Sequence, residues 1–232
     1  SPLTSTPIPL PFKLTLNIIA LCLMNAETEG HLGDDEEKGH WYHHLLGCML
    51  GGGDLNGFKR NQLSILTFNY DRSLEQFLHT SLKYSFGKLD EECADALSHI
   101  PIVHLHGHIG ELPWQHPEGR PYTPIPEKGW NMEDWEALVN RMNDEVPGAA
   151  DGIQIIHELD PERDEDSSFP RAYELLQKAK RVCFLGFGYN ETNVRRLKLD
   201  RLQPETTING TAYGMTEKER SEVQARLKRH HV

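Results

Sequence analysis

Positive charge is scarce in this chain. Its 24 Lys and Arg face 35 Asp and Glu, for a formal net charge of -11. Phosphate backbones are gripped by basic faces, so this balance argues against a nucleic-acid partner. Cysteine is scarce too: Cys22, Cys48, Cys93 and Cys183, with no CxxC pair. That spacing excludes a four-cysteine zinc ribbon made by this chain, offers no disulfide framework, and suits a reducing cytoplasm. Cys183 lies inside an apolar run and reads as a buried thiol. Long apolar runs are missing. Residues 14–24 (LTLNIIALCLM) are too short to span a bilayer, so no membrane is expected. Only Lys13 supplies a preceding positive charge and Asn17 interrupts the run, which reads as a core helix rather than a secretory leader. The chain opens on Ser1, so it reads as a piece begun inside a longer protein.

What is present is a globular composition, 38% hydrophobic and 25% charged over 232 residues. A chain of this size buries roughly 70–75% of its unfolded surface and needs no staples. Three short apolar runs end in small polar signatures: Ile65–Asp71 (ILTFNYD), Ile102–Gly107 (IVHLHG) and Val182–Gly188 (VCFLGFG). Buried parallel strands have this pattern, and ligands bind at the carboxyl ends of such strands in open α/β sheets. Helices are expected over 13–24, 40–50, from about 73 to 84, 90–98, 132–143, 169–179, 191–202 and from about 216, where Thr216 and Glu219 have capping-box spacing. Strands are expected over 63–68, 101–106, 152–157, 181–186 and 207–213, with a proline-rich ordered loop over 109–130. Strands alternating with helices predict an α/β, Rossmann-like parallel sheet flanked by helices. Residues 1–62 are expected to be a helical segment packed on a core formed by 63–232.

Asn69 and Asp71 lie two apart at a strand end. An amide can bond ribose hydroxyls or hold a water, and a carboxylate can accept from a carboxamide. The competing reading makes Asp71 only the cap of the next helix. His104, His106 and His108 alternate. Either His106 is a general base with structural neighbours, or the three ligate a metal in a hydrolase. Gly107 suggests a turn that would separate His108 from the other two. Gly186-Phe187-Gly188 precedes a helix start and can offer backbone N–H groups to a phosphate or ribose. Asn190 and Asn193 can cap that helix or touch a ligand.

Together these signatures resemble the sirtuin catalytic fold, and most of all the bacterial sirtuin-like, NAD-consuming domains. Thr67-Phe68-Asn69-Tyr70-Asp71 looks like the sirtuin Thr-Gln-Asn-Ile-Asp segment, Leu105-His106-Gly107 its Leu-His-Gly segment, and Phe184–Gly188 its Gly-Thr-Ser turn. The resemblance covers roughly residues 40–215. It implies NAD as substrate, with nicotinamide cleaved from the ribose. Asn69 would hold the ribose or the attacking water, Asp71 would orient nicotinamide, and His106 would act as base. Gly186 and Gly188 would line the adenosine side. The implied cofactor-contacting set is Thr67, Phe68, Asp71, Gly107, Gly186, Phe187, Gly188 and Asn193.

The departures sharpen the reading. Phe68 replaces the sirtuin glutamine, and His108 stands where sirtuins usually have serine. The zinc cysteines that support peptide binding in protein deacylases are absent, so no zinc is expected. The Gly-Ala-Gly loop is also missing, so the core is expected to lack its first strand and glycine loop. The resemblance therefore implies an NAD glycohydrolase more than a protein deacylase, in bacteria often an anti-phage defence effector coupled to a sensor. A non-catalytic NAD or ADP-ribose-binding module, the metal hydrolase, and a homo-oligomeric or sensor-linked parent protein stay open.

Overall fold

The computed structural model describes residues 10–27, 32, 41–51, 53–122, 132–154 and 168–229. The chain divides into two compact units, Ser1–Ile156 and His157–Val232.

The first unit opens with helix α1 (Leu10–Ala26). Leu16, Ala20 and Met24, spaced at four residues, bury one face of it against Ile109, Val146, Ala149, Ala150 and Ile153. The expectation of a core helix for residues 14–24 is borne out by that burial. No described helix is long and apolar enough to cross a membrane. Helices α2 (Trp41–Met49) and α3 (Leu55–Lys59) follow. The sequence reading missed α3; Asp54 starts it by accepting from Gly57 N at 2.6 Å, and Phe58 fixes it in the core.

Strand β1 (Ile65–Thr67) leads to helices α4 (Ser73–Phe86) and α5 (Asp90–Ser98), then to β2 (Ile102–His104). The strands pair in parallel, Ile65 with Ile102 and Thr67 with His104. A parallel pair needs a crossover, and α4 and α5 supply it. The core beneath is Leu74, Phe77, Leu78 and Leu82 of α4 with Leu46, Phe58, Cys93 and Ile100. Helix α4 ends on Gly87 in the left-handed region (φ 59°), whose N–H bonds the Lys83 carbonyl. Helices α6 (Met132–Asp144) and α7 (Val146–Asp151) complete this unit. Of the strand expected at 152–157, Ile153 makes one antiparallel bridge to Gly107; residues 155–157 lie outside the described set.

The second unit repeats the plan on a smaller scale: α8 (Phe169–Lys178), β3 (Arg181–Phe184), α9 (Glu191–Arg196), a 3-10 turn (Leu199–Arg201), β4 (Thr207–Gly210) and α10 (Glu217–Arg229). Strands β3 and β4 pair in parallel, Arg181 with Thr207. The helix expected over 191–202 is shorter because Lys198 turns left-handed (φ 48°). The capping box at α10 forms: Glu219 accepts from Thr216 N at 2.7 Å, and Glu219 N donates to Thr216 Oγ1 at 3.3 Å. Cys183 corrects the sequence reading, being exposed. Side chains alternate along a strand, and β3 turns Phe184 inward, so its neighbour points out.

The described residues thus give small parallel sheets flanked by helices, the α/β class expected from the alternation of elements.

Candidate active site

The ends of β1 and β2 lie side by side, which brings two of the three signatures together. Leu105 N donates to the Thr67 carbonyl at 2.9 Å, extending the strand pairing into the His-Gly segment. Phe68 and His106 face each other with ring centroids 5.4 Å apart. His106 is buried, 2% exposed, whereas Asn69 lies on the surface. Asn69 N donates to Thr67 Oγ1 at 3.0 Å. Asp71 is not the N-cap of the following helix, which is Arg72; its Oδ1 accepts from Ser73 N at 3.1 Å just before the helix begins.

Backbone geometry sets the turn after His106. Gly107 has φ 76°, where side chains are strained. A Cβ there would also sit 2.0 Å from the Gly152 carbonyl oxygen. Gln154 N donates to the His106 carbonyl at 2.9 Å, and the Tyr70 hydroxyl donates to the Gln154 carbonyl at 3.3 Å. The 152–154 segment therefore buttresses both signatures. The expected turn at Gly107 is present, but it does not separate His108 from His104. It folds the His108 ring back to a centroid distance of 5.4 Å from His104.

A buried charged network lies behind these residues. His104 Nδ1 is 2.7 Å from the Asn69 carbonyl, and its Nε2 is 2.7 Å from Glu75 Oε1. Arg72 Nε is 3.3 Å from the same Glu75 oxygen, and its Nη2 donates to Gln115 Oε1 at 2.7 Å. Burial pushes the Glu75 carboxyl up, but the His104 bond and the Arg72 charge outweigh it and hold it below its ordinary value. His108 pairs with Glu111 at 3.4 Å, and that bond, against partial burial, lowers the Glu111 carboxyl. Glu27 is 1% exposed. It accepts from Arg72 N at 2.6 Å and from Arg120 Nη2 at 2.5 Å. Burial raises the Glu27 carboxyl despite the pull of Arg120.

Sequence reasoning missed Glu27, Arg72, Glu75, Glu111 and Arg120. The metal-ligand reading of the three histidines finds no support in this geometry: both ring nitrogens of His104 are taken, one by the Asn69 carbonyl and one by Glu75. Among the described residues, no group of three or more His, Cys, Asp or Glu is placed to hold a metal.

The third signature lies in the second unit. Gly186 (φ 59°) and Gly188 both have open space where a Cβ would stand. The Gly186 N–H is spent on Thr211 Oγ1 at 3.0 Å. Phe187 stacks on Phe184, centroids 5.0 Å apart, and Tyr189 meets both rings edge-on. Asn190, not Asn193, caps α9, its Oδ1 accepting from Thr192 N at 2.9 Å. Asn193 sits within the first turn of that helix and its carbonyl accepts from the Leu197 N–H.

The model of the SIR2-like domain family matches residues 63–231. The chain belongs to that family, a class of NAD-using domains. No curated protein and no solved structure matches the chain with significance.

Proposed function

We propose that this chain cleaves the nicotinamide–ribose bond of NAD as a glycohydrolase. The observation that carries this reading is the placement of Asn69 and His106 at adjacent ends of two paired parallel strands, within the stretch matched by the family. Departure of nicotinamide leaves an oxocarbenium-like sugar, which a positioned base and fixed dipoles stabilise as charge develops. In this reading Asn69 holds the ribose or the water, Asp71 orients nicotinamide, and His106 serves as base. Thr67, Phe68 and Gly107 would contact the cofactor beside these three; for Gly186, Phe187, Gly188 and Asn193, in the second unit, a cofactor contact is supported by the family resemblance alone. Hydrolysis is favoured over deacylation because none of the four cysteines forms a CxxC pair from which to build a peptide-supporting zinc module.

The resemblance to bacterial sirtuin-like domains is what supports a role for this activity in anti-phage defence, in the cytoplasm and under the control of a sensor. The test is nicotinamide release from NAD by the purified protein. His106→Ala and Asn69→Ala should each lower it by about 100-fold or more. Wild-type turnover in both variants removes the assigned roles.

A second reading, a non-catalytic ADP-ribose-binding module, is favoured by one observation: an apolar ring, Phe68, and not a polar side chain, lies against His106 at 5.4 Å between centroids. It requires calorimetric binding of ADP-ribose with no nicotinamide released.

A further inference from the structure

We propose that Glu75 and His104 form a positioning pair that fixes the main chain of Asn69 and so aims its carboxamide; this rests on the NAD-cleaving reading above. Acceptors flank the His104 ring on both sides, the Asn69 carbonyl at 2.7 Å and Glu75 Oε1 at 2.7 Å. A carbonyl oxygen can only accept, so Nδ1 carries a hydrogen and donates to Asn69. Glu75 grips the far end of the ring and is itself held by Arg72 at 3.3 Å. The ring is therefore locked at both nitrogens.

Asn69 is tied from the other side as well. Its N–H donates to Thr67 Oγ1 at 3.0 Å. Both of its main-chain polar groups are thus committed to the protein, although the residue lies on the surface. With both flanking peptide groups fixed, only two side-chain torsions are left to set where the carboxamide points. Glu75 and His104 are 3% and 5% exposed, so they act on the reaction through Asn69 rather than by touching a ligand. A misplacement of about 1 Å at a reacting group can cost about 100-fold in rate, so a device of this kind matters to turnover.

The test compares two double variants, Glu75→Gln/His104→Asn and Glu75→Gln/His104→Leu. Asn and Leu have nearly the same shape, but only Asn keeps an N–H for the Asn69 carbonyl. Glutamine at 75 removes the buried charge from both, so neither strands an unpaired carboxylate. The Asn variant should keep kcat for nicotinamide release within about threefold of wild type. The Leu variant should lose about tenfold or more in kcat, with KM for NAD moving less than about threefold and the two Tm values alike.

Amide hydrogen exchange over residues 69–71 gives a readout independent of turnover. It should be about tenfold faster in the Leu variant than in the Asn variant. Equal kcat in the two variants, or a loss confined to KM, overturns the positioning role. Equal exchange overturns the pinning itself. A wild-type protein that releases no nicotinamide sinks the catalytic reading, while the exchange comparison still judges the pin. Should the Leu variant fail to fold, the smaller Glu75→Gln/His104→Ala takes its place in both comparisons. Lower kcat and faster exchange than in the Asn variant support the proposal, and equality in either overturns it.

Discussion

Glu27→Ala should unfold the first unit far more readily than its distance in sequence from the candidate site suggests. Glu27 lies outside the family-matched stretch, yet its two oxygens hold Arg72 N, at the start of α4, and the Arg120 guanidinium. Both side chains of the pair are nearly fully buried, 1% and 6% exposed, so solvent screens little. Removing one partner of a buried pair leaves an uncompensated charge and costs about 3–5 kcal/mol. With a urea m-value of about 2 kcal/mol/M, the unfolding midpoint should fall by about 2 M. All four tryptophans, Trp41, Trp114, Trp130 and Trp135, precede residue 157, so intrinsic fluorescence reports the first unit alone. Glu27→Gln keeps the shape but turns an N–H toward a donor, and should cost about 1–3 kcal/mol. Glu27→Met/Arg120→Met removes both charges and should recover most of the loss. A Glu27→Ala midpoint within 0.5 M of wild type (roughly 1 kcal/mol), or a double variant no better than the single one, refutes the reasoning.

Gly107→Ala must both adopt φ 76° and open a 2.0 Å clash with backbone at Gly152; it should destabilise by about 2–4 kcal/mol in urea titrations. Gly188→Ala meets nothing and should stay within about 1 kcal/mol, so comparable losses in both would discredit the close approach. Glu75 has a lowered carboxyl, so its contribution is present above its ordinary value of 4.5 and is lost as pH falls through the lowered one. Glu27, raised, works with the opposite sign, stabilising at low pH and losing that contribution as pH rises through its raised value. Stability measured from neutrality down through that acid range should therefore fall less steeply in Glu75→Gln than in wild type, and equal slopes would deny Glu75 its ion pairs.

Local signals carried most of the fold. The apolar run at 14–24 marked α1, and the Thr216–Glu219 spacing marked the start of α10. The runs at 65–67 and 102–104 were legible because apolar strands stop at polar residues. The Asn-x-Asp and His-Gly signatures were legible because each is contiguous. What held them was not. Glu27 meets Arg120 across 93 residues and Glu75 meets His104 across 29, and no periodicity links charges that far apart. Short helix α3 was hidden by the glycines around it. Cys183 was misread because an apolar run does not say which of its two faces is covered.

The length of β1 and β2 has a consequence for how the candidate site forms during synthesis and is lost under stress. Three residues apiece make too few rungs for the pair to persist by itself; the helices between them must already be docked. Partial assembly therefore leaves the candidate site unformed. The two signatures come into register as one event when the crossover closes, and they part again whenever it loosens.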